Sequence, residues 1–190
     1  MRTFYGMMKK KKNEIPEDKL LIFQNILDTY FVPGCGSNAG DNMFMEAIGE
    51  HFTEEERFRL WEQSGGCRGF GHEKARKAFA AEHAELPLPV KLDVYIMEFE
   101  NGLKGKTRNI VLDEENNTIT FTWACDECYN HSVKGKITAP FSLYYEGCAG
   151  GRMQNLQSAL GIKLRIKSVE IPKQGVSKEN PCVFVFEIVK

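Results

Sequence analysis

The stretch FTWACDECYNH, residues 121–131, carries two cysteines three positions apart with a histidine close behind. A short turn of this kind can aim two thiolates at one tetrahedral zinc, and a structural zinc usually takes four ligands, commonly from two such knuckles. Only Cys125 and Cys128 form a knuckle here, so further ligands have to come from His131, Glu146, Cys148 or Cys182. A redox pair is the weaker alternative. Thioredoxin-type cysteines sit between a strand and a helix in a βαβ setting, and Asp126 and Glu127 set negative charge between these thiols, against thiolate formation. Two thiols at a turn, with no chemistry, is the plain reading.

Cys148, in YYEGCAGG, offers a different chemistry. It falls near the expected start of a helix, where unpaired backbone amides and the helix dipole stabilise an anion, and Arg152 one turn later adds a cation. On that placement Cys148 is the most acidic thiol of the chain and a candidate nucleophile, with His131 as candidate base. A buried, unreactive cysteine packed under a turn explains it equally well. A lone histidine is more often a surface or hydrogen-bonded residue than a catalyst. Cys182, at the start of an apolar strand, reads as structural, and Cys35 and Cys67 as packing residues of glycine-rich loops. Phe121, Trp123, Tyr144 and Tyr145 either line a pocket beside the thiols or belong to the core.

The elements that must position these groups can be read from periodicity and punctuation. Pro16 opens an amphipathic helix with Leu20, Phe23, Ile26, Leu27 and Tyr30 at helical spacing, stopped by Pro33 and Gly34. Asp41 is expected to cap a short helix holding Met43, Phe44 and Ile48, and Thr53 with Glu56 forms a capping box for the next. A further helix spans His72 to His83. PLPV at 87–90 is a hinge, and VKLDVYIMEF after it fits a helix better than a strand. NIVL and TITFTW around DEENN predict a β-hairpin. A helix from Tyr145 to Leu160 stops at Gly161. KLRIKSVEI, whose alternation is partly out of phase, and CVFVFEIV predict a second hairpin. The expected fold class is α+β: a helical N-terminal half and an antiparallel sheet of about four strands with packed helices. Residues 1–15 form a tail and 16–190 a single domain, with 16–88 mainly helical and 105–190 hairpin, helix, hairpin.

Composition narrows the functional classes. The 190 residues are 27% charged and 42% hydrophobic with a formal net charge of −1, which implies no strongly charged partner. The dense basic run Lys9 to Lys12 reads as a solvated tail, so no nucleic-acid partner is expected. No run approaches the roughly 18 apolar residues of a membrane span, and the N-terminus has its apolar residues before its charges, the wrong order for a signal peptide. A cytoplasmic protein with reduced cysteines is expected. GCGSNAG and GCAGG do not follow strands as phosphate fingerprints require.

The C-terminal half, roughly residues 105–190, presents a cysteine pair after a strand, YYEGCAGG leading into a helix that ends at LG, a strand with SVE, and a final CVFVFEI. This order resembles the bacterial vinyl-reductase-type superfamily of small-molecule-binding domains, which share an α/β fold with TRAPP subunits, and in particular a cysteine-rich bacterial branch. The ending is similar to that of the aminothiazoline-carboxylate hydrolase family. The resemblance implies an inter-helix pocket for a small-molecule ligand and often a homodimer. Where the branch has two cysteines around the tyrosine before the helix, Glu146 holds the first place and Cys148 the second, which weakens an all-thiolate site. Zinc-binding sensors of the superfamily use a glutamate and cysteines near the last hairpin; Glu170 and Cys182 match, with no cysteine between them. The first expectation is therefore a domain binding zinc or a small molecule at a site lined by Cys125, Cys128 and Cys148, with Glu146 as a further metal ligand. The second is a thiol-dependent hydrolase with Cys148 and His131 as its machinery, and the third a structural interaction subunit.

Overall fold

The computed structural model describes residues 16–30, 37–64, 72–100, 107–124, 141–173, 176–177 and 179–189. Cys125, Cys128 and His131 lie outside these residues, as do Cys35 and Cys67. The described elements are α1 (Glu17–Tyr30), α2 (Ser37–His51), α3 (Glu54–Ser64), α4 (Glu73–Glu82), α5 (Leu88–Tyr95), a π-helical turn (Ile96–Glu100), β1 (Thr107–Asp113), β2 (Thr118–Ala124), α6 (Phe141–Leu160), β3 (Lys163–Glu170) and β4 (Cys182–Val189). The architecture is α+β, as the sequence predicts.

Local chemistry accounts for most boundaries. The capping box forms: the Thr53 backbone N–H donates to Glu56 at 2.8 Å and the Glu56 N–H to the Thr53 hydroxyl at 3.3 Å, satisfying two amides that the first turn of α3 leaves unpaired. Gly161 ends α6 at a φ of +69°, a conformation nearly free of strain only for glycine. Two helix starts differ from expectation. α2 begins at Ser37, so Asp41 lies inside it and does not cap it. α6 begins at Phe141, directly after Pro140, one turn before Tyr145.

The sheet is wholly antiparallel in the order β1-β2-β4-β3, with each hairpin contributing one edge strand and one central strand. Its inner face carries the register rows Ile110–Phe121–Phe184 and Ile119–Phe186–Ile166, and beyond them Trp123 opposite Cys182. All of these are buried. The register of β3 on β4 shifts between Ile166 and Ser168, so Lys167 is an extra residue and the buried parity moves from Leu164 and Ile166 to Val169. This bulge is why the alternation in KLRIKSVEI is out of phase. The free edge of β3 is covered by side chains: Leu164 N–H donates to Gln157 Oε1 at 2.7 Å and Ile166 N–H to Glu62 Oε1 at 2.7 Å.

Helix α6 is the centre of the molecule. It packs on β3 and β4 on one side and on α2, α3, α4 and α5 on the other. Its residues from Glu146 to Gly151 are all buried, so it has no solvent stripe along that stretch. Gly150 permits the closest approach: a Cβ there would stand 2.2 Å from the Trp61 carbonyl oxygen of α3. α1 and α2 pack through Phe23, which stacks on Phe44 at 4.5 Å and on Phe52 at 5.4 Å.

Candidate functional site

Because α6 is buried all round, the groups of YYEGCAGGR diverge from one another. Glu146 faces α3. Arg57 donates to its two carboxylate oxygens, Nε to Oε2 at 2.9 Å and Nη2 to Oε1 at 3.0 Å, and the Trp61 indole N–H donates to Oε2 at 3.3 Å. This side-on fork is the strongest arrangement open to an arginine and a carboxylate. The hydrogen bond to Glu146 holds the Arg57 guanidinium above its ordinary range, against the opposing effect of desolvation. Glu146, read from the sequence as a metal ligand beside Cys148, is thus held as one half of a buried ion pair. Two residues apart on a helix, Glu146 and Cys148 point roughly 160° away from each other. The structure does not bring these two together.

Cys148 is 8% exposed and is the eighth residue of α6. Its placement at a helix start is corrected: the backbone amides of the first turn belong to Phe141–Tyr144, and the field of the dipole falls off within that turn. Arg152 follows Cys148 in the same helix. One turn on along the same face, Arg152 sets its guanidinium carbon 3.8 Å from the centre of the Trp123 ring and 6.0 Å from that of Phe121. Helical side chains lean in general toward the N-terminus, the direction in which Cys148 lies. The Arg152 Nε is buried and, among the described residues, has no hydrogen-bond partner.

The direction of α6 fixes what lies beyond. Its last residue, Leu160, leads through Gly161 into β3, which starts opposite Val189, while β2 starts opposite Glu187. α6, which packs on β3 and β4, therefore runs opposite to the direction shared by β2 and β3, and its earlier residues lie toward the end at which β2 stops. With a rise of about 1.5 Å per residue, Cys148 sits about 6 Å further than Arg152 in that direction. β2 ends at Ala124, one residue before Cys125 in the sequence. Cys182, a second buried thiol, lies opposite Trp123 on the same inner face. Of the candidate residues described, Trp123 and Cys182 are opposite each other on the sheet, Arg152 of α6 lies over Trp123, and Cys148 precedes Arg152 by one helical turn. Arg152 was read from the sequence as a cation one turn after Cys148; its contact with the Trp123 ring is what spacing alone did not reveal.

Among the described residues, no group of three or more histidine, cysteine, aspartate or glutamate side chains could hold a metal ion, and no helix is long and apolar enough to cross a membrane. No family model matches the chain, and no curated protein matches it.

Proposed function

We propose that the chain is a binding domain for a metal or a small molecule, of the kind its C-terminal half resembles, with Cys148 and the Cys125–Cys128 pair lining one site. The observation that supports this reading is the direction of α6, opposite to that of β2 and β3: Cys148 lies toward the end at which β2 stops and after which the cysteine pair follows in sequence. Arg152, one turn after Cys148 on α6 and resting on the Trp123 ring, ties this part of the helix to the same strand end. The interior position of Cys148 in α6 favours binding over the hydrolase reading, which relied on a helix terminus to activate the nucleophile.

Elemental analysis of reduced protein, combined with site-resolved alkylation, tests the proposal. The expected result is about one equivalent of zinc or iron, lost in both Cys125→Ser and Cys148→Ser, or, for a metal-free site, slower alkylation of Cys148 and Cys125 together when one ligand is added. Thiols that label independently of one another in metal-free protein, with or without added ligands, would sink it.

A further inference from the structure

The sheet has a second face, whose residues point away from the core. Ile119, Phe184 and Phe186 of the inner face are 0% exposed. Between them the two central strands send Thr120, Thr122, Val183 and Val185 to the outer face, where all four are only half-buried. Val111, in the same row as Thr120 and Val185, is 49% exposed. None of the four central residues is charged, and short β-branched side chains give up little rotamer freedom when they are covered. Charges stand at the margin instead. The row at one end of this face reads Asp113, Thr118, Glu187 and Arg165 across the four strands, with Thr118 itself buried. A centre depleted of charge within a charged rim is how protein interfaces are built.

The face is also complementary to itself. Two copies packed face to face can be related by a two-fold axis that runs along the strands, midway between β2 and β4. Such an axis exchanges β1 with β3 and β2 with β4, so each row meets itself in reverse. Asp113 then opposes the partner's Arg165, twice over, while Val185 opposes the partner's Thr120 and Val183 the partner's Thr122. Tilting the axis about 15° from the strands gives the crossing of about 30° usual for aligned sheets. An axis across the strands would instead set Glu187 on the partner's Val183, a charge against an apolar group. Four strands about 4.8 Å apart and seven residues rising about 3.4 Å each give about 450 Å² per copy. That is below the roughly 800 Å² per partner of a standard interface, so the pairing is weak, with a Kd on the order of micromolar or above.

We propose that the outer face of the sheet is a self-association surface, on which a second copy of this chain packs about a two-fold axis along the strands. Neither the cysteines nor Arg152 takes part, so this inference and the binding reading stand or fall separately.

Sedimentation velocity of the reduced full chain from about 1 µM to about 1 mM tests it. The expected result is a concentration-dependent equilibrium of monomer and dimer. Val185→Lys, which buries two uncompensated charges in the pair, should weaken it about 100-fold or more. Asp113→Lys and Arg165→Glu should each weaken it about 10-fold by setting like charges face to face. An equimolar mixture of those two variants should associate as the wild type does, because each mixed pair again opposes unlike charges. Circular dichroism and Tm report whether each monomer is folded, and Asp113→Lys also loses its hydrogen bonds from Asn116, a loss read in its own Tm. If Val185→Lys does not fold, Thr120→Lys and the charge variants decide. A monomer at every concentration overturns the proposal, as does a dimer indifferent to Val185→Lys or a mixture that associates no better than its components.

Discussion

Two glycines three residues apart on α6 should respond in opposite directions to one substitution. At Gly150 an added Cβ would stand 2.2 Å from the Trp61 carbonyl oxygen and 2.6 Å from its carbonyl carbon. Carbon to oxygen contacts ordinarily lie beyond about 3.3 Å, so α3 and α6 have to part by about 1 Å. The obstacle is helix backbone, which cannot rotate aside as a side chain can. A gap of that size forfeits up to about half of the dispersion attraction wherever it opens, here along the packing of Phe58, Leu60 and Trp61. Overpacking of this kind costs about 3 kcal/mol at the upper end, and alanine in place of glycine returns about 1 kcal/mol of helix propensity. Gly150→Ala should therefore destabilise by about 2 kcal/mol, or about 4–8 °C in Tm at this chain length. At Gly147 the Cβ would meet the Trp61 ring at 3.5 Å, an ordinary contact, so Gly147→Ala should keep the propensity gain and raise Tm by about 2–4 °C. Thermal and denaturant unfolding of both variants reads the two signs. Wild-type stability in Gly150→Ala, or the same sign in both, would refute the close approach of α3 and α6.

Other outcomes follow from the polar contacts. Arg57→Met should destabilise by about 3 kcal/mol in denaturant unfolding, because Glu146 is left buried and uncompensated, and adding Glu146→Leu should recover much of the loss. The Glu56 carboxyl is held below its ordinary value of 4.5, chiefly by the hydrogen bond from Lys19 and next by the Thr53 N–H. A depressed carboxylate stabilises the fold above its unfolded value, and that stability is lost as pH falls through the lower folded value. Stability should thus decline below about pH 4.5, and a pH series of unfolding curves should show a shallower decline for Glu56→Gln. Asn117 turns the first hairpin at a φ of +51°, so Asn117→Ala should cost about 1 kcal/mol and Asn117→Gly little or nothing, both measurable by thermal unfolding.

Much of this fold is legible from local signals. The Thr53–Glu56 box, Gly161, the two hairpins and the helical character of VKLDVY each rest on forces acting within a few residues, and they form where they are expected. Even the irregular alternation of β3 was visible, although only its pairing with β4 identifies Lys167 as the inserted residue. The start of α6 was misplaced because Phe141 to Tyr144 carry no cap signature distinct from the strand-like apolar runs around them. That one turn moved Cys148 from a helix terminus to a helix interior and changed its chemistry.

Composition and periodicity by themselves determined the α+β class, the hairpins and the residues able to do chemistry, since these depend on backbone preference and on contacts between sequence neighbours. Tertiary structure alone decided how YYEGCAGGR is used. A helix buried on every side has no polar face to orient it, so only its neighbours assign Glu146 to Arg57, Gly150 to the Trp61 carbonyl and Arg152 to the Trp123 ring. These partners lie 29 or more positions away along the chain, a separation at which no local rule specifies which groups meet.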